Sequence, residues 1–144
     1  MSFKKVLIAV DSGPVAVGAA ETGVELARAL GAEVAFICVV DASLAYAGDT
    51  GTPAGELIAA ARLDAQRLLT AVRQRLSPQS SALEFIQVGG SSEEIIKAAE
   101  AWGADLIVIG SHGRTGVQRV FFGSVAEAVM RHAPCPVVVV RAKE

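Results

Sequence analysis

The residues best suited to chemistry lie in one stretch, GSHGRTGVQRVFFGSV at 110–125, with four glycines, two arginines and one histidine. Glycine is costly inside helices and strands alike, so this stretch reads as a loop. Gly110 and Gly113 let the backbone turn sharply and approach a ligand with no Cβ in the way. Nine residues separate Gly113 from Gly123-Ser124, which opens a helix. Free N–H groups at a helix start, together with the positive end of its dipole, favour an anion. Arg114 and Arg119 lie between the two glycine clusters and can add positive charge. The composite is a phosphate-binding loop. No GxxxxGK[ST] occurs anywhere, which excludes P-loop chemistry.

Catalytic groups are harder to find. His112 has the residue type of a general base, yet no Ser or Cys nucleophile with an evident partner stands beside it. It is expected to pack the loop or sit near phosphate, and no catalytic residue is assigned. His132 falls in the last turn of a helix, where its charge suits the dipole. Cys38 lies in an apolar run and Cys135 between two prolines, with no metal-ligand spacing. Both read as buried, inert thiols. No acidic cluster specifies a divalent metal, so Mg²⁺ or Mn²⁺, if bound, would arrive on a triphosphate.

These residues need elements to position them. Five short apolar runs stand out at 4–10, 34–40, 83–88, 105–109 and 136–141. Most are continuous rather than alternating, as in parallel strands buried on both faces. Helical patterns lie between them. The first spans about 15–30 and stops at Gly31. The second carries Leu57, Ala61, Ala65, Leu68, Val72 and Leu76 on one face and ends before Ser77-Pro78. The third opens at Ser91 and ends at Trp102-Gly103, and the fourth spans about 124–132. Ser91 with Glu94, and Ser124 with Glu127, have the spacing of capping boxes. The alternation is that of a doubly wound α/β fold, and 144 residues suit a single domain over 1–144.

Connection lengths point to a ligand site. Two strand-to-helix joins, Asp41–Pro53 and Ser111–Gly123, exceed the usual two to six residues. Such joins sit at the carboxyl ends of strands, where open α/β sheets bind ligands. Asp11, ending the first strand, is expected to face that crevice; capping the following helix is the alternative. Asp41 either contributes there or starts a solvated loop. Phe121 and Phe122 are expected to anchor the far end of the glycine loop, and Tyr46 to be able to cover a bound base.

The spacing Gly110-x2-Gly113-x9-Gly123-Ser124 carries a resemblance. With KKVLIAVD, the strand end Val39-Val40-Asp41, GADLIVIGSHGRTG and GSVAEAVMRHAPCPVVVVR, nearly the whole chain resembles the ATP-binding subgroup of the universal stress protein family. The resemblance implies an open, Rossmann-like, five-stranded parallel sheet with helices on both faces and strand order 3-2-1-4-5. It implies ATP as ligand. Ala9, Val10 and Asp11 would border the nucleoside and Val39 would line the adenine pocket. Ile109, Gly110 and Gly113 would support ribose and phosphates, with His112 and Arg114 in the same loop. Gly123, Ser124 and Val125 would bind the phosphates. Ser12-Gly13-Pro14 departs from the commoner acidic or Ser-rich turn, and it does not match the SGGxDS-like loop of related adenine hydrolases.

Composition narrows the partners. Net charge is −2 with thirteen basic residues and no basic stripe, against nucleic acid as a partner. No apolar run approaches the ~20 residues of a membrane span, and none at the start has the length of a secretory signal, so a cytoplasmic protein is expected. An exposed edge made of Val137–Arg141 would invite uncontrolled pairing. A second copy covering it by two-fold symmetry removes that hazard, and the resemblance implies such a homodimer. Function is therefore read as nucleotide-dependent regulation in a stress response with little or no hydrolysis. A slow Mg²⁺-dependent ATP hydrolase and a ligand-free dimeric scaffold are the alternatives.

Overall fold

The computed structural model describes residues 2–11, 14–41, 43, 53–76, 82–111 and 123–141. Along them run β1 (Lys5–Ala9), α1 (Pro14–Leu30), β2 (Glu33–Asp41), α2 (Ala54–Leu76), β3 (Leu83–Gly89), α3 (Ser91–Trp102), β4 (Leu106–Gly110), α4 (Ser124–His132) and β5 (Val137–Val140). The strands form one parallel sheet in the order β3-β2-β1-β4-β5, as expected.

The continuous apolar runs follow from burial on both faces. Successive strand residues point to opposite sides. Val6 and Ile8, with Phe36, Cys38, Val40 and Val108, meet Ala20 and Val24 of α1 and Ala65, Leu69 and Val72 of α2. Leu7, with Ala35, Ile37, Ile107 and Ile109, meets Ile95 and Ala99 of α3 and Ala126 and Val129 of α4. Two helices therefore cover each face.

Helix ends are set by backbone conformation. Gly31 and Gly103 adopt left-handed φ values of 64° and 78°, which is why α1 and α3 stop there. The helix starts correct the capping-box expectation. The N-caps are Gly90 and Gly123, neither helix start has a side-chain cap bond, and Ser91 and Ser124 are already the first helical residues. The serines stand one position too late to cap, because each preceding glycine takes the extended conformation of an N-cap. Asp41 closes β2 instead of starting the loop. On α2 the deepest residue is Leu69, fully buried beside the expected face.

Side-chain ties hold α2 in place. Arg28 Nη2 donates to the Leu76 carbonyl at 2.7 Å, satisfying the end of that helix. Glu84 of β3 accepts from Arg73 and from Thr70 Oγ1. At the amino ends of the strands, Asp105 Oδ2 accepts the backbone N–H groups of Lys4 and Lys5 at 2.9 and 3.0 Å. Lys5 Nζ donates to the Trp102 carbonyl at 3.1 Å and lies 5.4 Å from the centre of its ring.

α1 approaches the sheet so closely that a Cβ on Gly23 would lie 2.7 Å from Ile8 Cδ1 and 3.3 Å from Val108 Cγ1. A Cβ on Gly18 would meet nothing within 4 Å. Gly23→Val is expected to cost ~1–3 kcal/mol by overpacking. Gly18→Ala should gain up to ~1 kcal/mol from helix propensity. Urea unfolding of the two variants checks both signs; a neutral Gly23→Val would contradict the close approach.

Candidate functional site

The strand order places the switch point between β1 and β4, where connections leave in opposite directions. The carboxyl edge of the sheet is stepped there. Ala9, the last residue of β1, is level with Ile37, and β2 runs four residues further to Asp41, paired with Gly89 of β3. At ~3.3 Å per residue the β2–β3 side stands about 13 Å above the end of β1. On the other side β4 and β5 end level, Gly110 opposite Val140. The result is a notch with its floor at β1 and β4 and a wall on the β2 side.

The expected site residues that are described converge on this notch, with one exception. Ala9, Val39 and Val125 pack against the core layer that contains Ile109, so they share the α3–α4 side of the sheet. Gly110 and Asp11 are half-buried at the ends of their strands. Val10 is the exception. Its side chain is 3% exposed within the opposite core layer, and its N–H donates to the Ile37 carbonyl at 2.8 Å. Only its backbone carbonyl is left to offer a ligand. His112, Gly113, Arg114, Arg119, Phe121, Phe122, Tyr46 and the turn residues Ser12 and Gly13 lie outside the described residues.

The long join between β4 and α4 is tied at its base. Ser111 N–H donates to the Val140 carbonyl at 2.8 Å, and Gly123 N–H donates to the Ser111 carbonyl at 2.6 Å. Ser111 and Gly123 therefore meet at one point beside the notch. Ser111, buried to 3% exposure, is the buried polar residue among those described. It was not singled out from the sequence; its signal was its place directly after Gly110 at the strand end.

Gly123 then starts α4 with extended φ and ψ of −66° and 159°. The first helical bond runs from Glu127 N–H to the Gly123 carbonyl at 3.0 Å. The amides of Ser124, Val125 and Ala126 precede it, so none has an intrahelical acceptor. Glu127, the first-turn carboxylate, is held by Arg131 at 3.0 Å. The start of α3 differs. A Cβ on Gly89 would lie 2.8 Å from Glu94 Oε2, and one on Gly90 3.2 Å from Glu93 Oε1. Its own carboxylates, one of them paired with Lys97 at 3.4 Å, thus lie over that helix start and offset its dipole.

Chemistry at the other end of the sheet is quiet. Cys135, in the turn from α4 to β5, is half-buried rather than buried, and burial followed by the Asp105 charge pushes its thiol above the ordinary cysteine range. It is a poor nucleophile. Among the described residues no group of three His, Cys, Asp or Glu side chains could hold a metal ion, and no helix is long and apolar enough to cross a membrane.

An open doubly wound sheet with helices on both faces and a notch at its switch point defines a Rossmann-like α/β protein. The universal stress protein family pattern matches residues 2–141. A universal stress protein of Methanocaldococcus jannaschii is 36% identical over 141 residues, covering 96% of this chain and 82% of that one. The chain belongs to the universal stress protein family. The solved structure of UspA from Lactobacillus plantarum matches with a TM-score of 0.84 at 29% identity, over 98% of this chain and 99% of that one. A universal stress protein from Archaeoglobus fulgidus in complex with dAMP has the same fold, with a TM-score of 0.65 at 24% identity over 97% and 99% of the two chains.

The position of Cys135 makes a pH prediction. Its thiol holds its proton more tightly in the fold than in the unfolded chain. Stability is therefore insensitive to this group below the unfolded pKa and falls as pH rises past it, until the folded thiol also ionises. Alkylation of Cys135 by iodoacetamide, followed by mass spectrometry, should be slower than for a free thiol and still accelerate above pH 9.0. Cys38, 8% exposed, should react only on unfolding. A Cys135 rate that levels off below pH 8 would overturn this assignment.

Proposed function

We propose that this protein binds an adenine nucleotide, ATP by preference, in the notch between β1 and β4, and acts as a nucleotide-dependent regulator in a stress response rather than as a turnover enzyme. One observation carries the reading. The base of the 111–123 join is closed by the Gly123-to-Ser111 bond directly beside the uncapped first turn of α4. Backbone amides with no intrahelical acceptor, at the positive end of a helix, are suited to phosphate. The neighbouring Ala9 and Val39, each partly buried, offer apolar surface to the nucleoside, with Ile109 behind them in the core. The same fold holds dAMP in the Archaeoglobus fulgidus protein. In this reading Asp11 faces the sugar or base. Gly110, His112, Gly113 and Arg114 surround the phosphates, Gly123, Ser124 and Val125 bind them, and any Mg²⁺ or Mn²⁺ arrives on the nucleotide. The protein works as one cytoplasmic domain.

We further propose a homodimer through β5. Among the described residues that strand pairs only with β4, and it is half-buried along its length. A second copy pairing with it would cover the valine edge. A monomer by light scattering at micromolar concentration would sink this part.

Nucleotide released from denatured protein, separated by anion exchange against ATP, ADP and AMP standards, tests the principal reading. Gly123→Asp is the diagnostic variant. It supplies α4 with the side-chain N-cap it lacks and a charge of the right sign for the dipole, so stability should hold or rise by ~0.5–1 kcal/mol. The same carboxylate occupies the amides and repels phosphate, so ATP should be recovered from the parent protein and lost from the variant. Equal recovery from both would remove α4 from the site. ADP that accumulates with time and Mg²⁺ would favour a hydrolase instead.

A further inference from the structure

We propose that Arg141 is a further phosphate-binding residue of the notch, the cation that fixes which way an anionic ligand lies across the carboxyl edge of the sheet. The inference rests on the nucleotide reading and deepens it. Backbone bonds set its position. Val140 pairs with Gly110, the Ser111 N–H donates to the Val140 carbonyl, and the Gly123 N–H donates to the Ser111 carbonyl. The ends of β4 and β5 and the start of α4 are thereby tied at one point. Arg141 is the first residue beyond that point on β5, one strand spacing of about 4.8 Å from β4. The two Ser111 bonds bring the start of α4, whose first amides have no intrahelical acceptor, to this same end of β5.

Its side chain is available. Arg141 is exposed, and among the described residues the ion pairs engage Arg73, Arg75, Lys97 and Arg131 instead. Arg28 is committed to the end of α2. A guanidinium presents paired donors that match two phosphate oxygens at once, which complements amides that each supply one.

The opposite end of the same edge carries three carboxylates against one lysine, Lys97, which pairs with Glu94 at 3.4 Å. Asp41 closes β2 level with Gly89, and Glu93 and Glu94 lie over Gly90 and Gly89. β3 stands four strand spacings from β5, about 19 Å. An anion entering the notch is drawn toward β5 and α4 and repelled from the β2–β3 wall. Ala9 and Val39, on the wall side, are left for the uncharged part of the ligand. Neither charge cluster is contiguous in sequence; the strand order assembles both.

Titration calorimetry on the full chain, with ATP, AMP and adenosine as probes, tests this. Arg141→Gln should weaken ATP about three- to tenfold, the range of one exposed charge-assisted contact. AMP should weaken less and adenosine not at all, with Arg141→Lys in between. Raising salt from about 50 to about 500 mM should shrink the difference from the parent protein, since exposed charges are screened. Arg75→Gln removes the same charge from the end of α2, where Arg75 pairs with Glu21 away from the notch, and should bind like the parent. The proposal is overturned if Arg141→Gln binds ATP as tightly as the parent, if adenosine weakens equally, or if Arg75→Gln loses as much. A loss that tracks dimer dissociation by light scattering would also overturn it. A parent protein that binds adenosine and ATP equally would overturn the role of Arg141 while leaving a base site. A parent that binds neither would overturn the nucleotide reading itself.

Discussion

Every other element takes its place from β1. Val6, Leu7 and Ile8 are fully buried, turned alternately to the two faces, and the strand is bonded to β2 on one edge and β4 on the other. The chain adds β2 and β3 on one side of it and then returns to add β4 and β5 on the other. Parallel crossovers are right-handed, so reversing their direction reverses the face their helices cover. That places α1 and α2 on one layer and α3 and α4 on the opposite layer. The switch point is the same fact seen from the carboxyl edge: connections leaving β1 and β4 diverge, and a crevice is left between them.

The two ends of the sheet are built for different purposes. At the amino end polar groups are spent on one another. Asp105 holds the start of β1, Lys5 closes the end of α3, and Phe85 meets Trp102 edge-on with ring centres 6.2 Å apart. These contacts join α3, β1, β3 and β4 where the connections are short. At the carboxyl end the long connections gather, α4 starts without a side-chain cap, and Arg141 is exposed. Unspent hydrogen-bonding capacity in a stable fold is a common mark of a ligand site, because uncapped amides lower helix stability unless something else bonds them.

The step in the sheet edge gives the notch its asymmetry. Because β2 and β3 outrun β1, one wall is strand backbone and apolar side chain topped by carboxylates. The other is a helix start beside an arginine. Shape and charge therefore agree about orientation. A ligand with one apolar end and one anionic end has a single favourable way to lie, whereas a symmetric crevice would have left two.

Much of this was legible in the sequence. Strands buried on both faces must be apolar throughout, so the runs around Leu7, Ile37 and Ile107 mark a parallel sheet without reference to anything distant. Gly31 and Gly103 mark helix ends because only glycine enters the left-handed region without strain. Residue spacing misled at the helix starts: Ser91-Glu94 and Ser124-Glu127 have the right interval, and a glycine one position earlier takes the cap instead. Local pattern also could not say that Val10 turns into the core, since one residue past a strand end either face is open to it. Alternation and glycine placement are short-range properties, and the sequence by itself determined them: the elements and their ends. Strand order, the stepped edge, the Gly123-to-Ser111 tie and the separation of Asp41, Glu93 and Glu94 from Arg141 depend on contacts between residues far apart in the chain. Only the tertiary structure decided those, because sheet pairing and long-range electrostatics act through space and leave no periodicity to read.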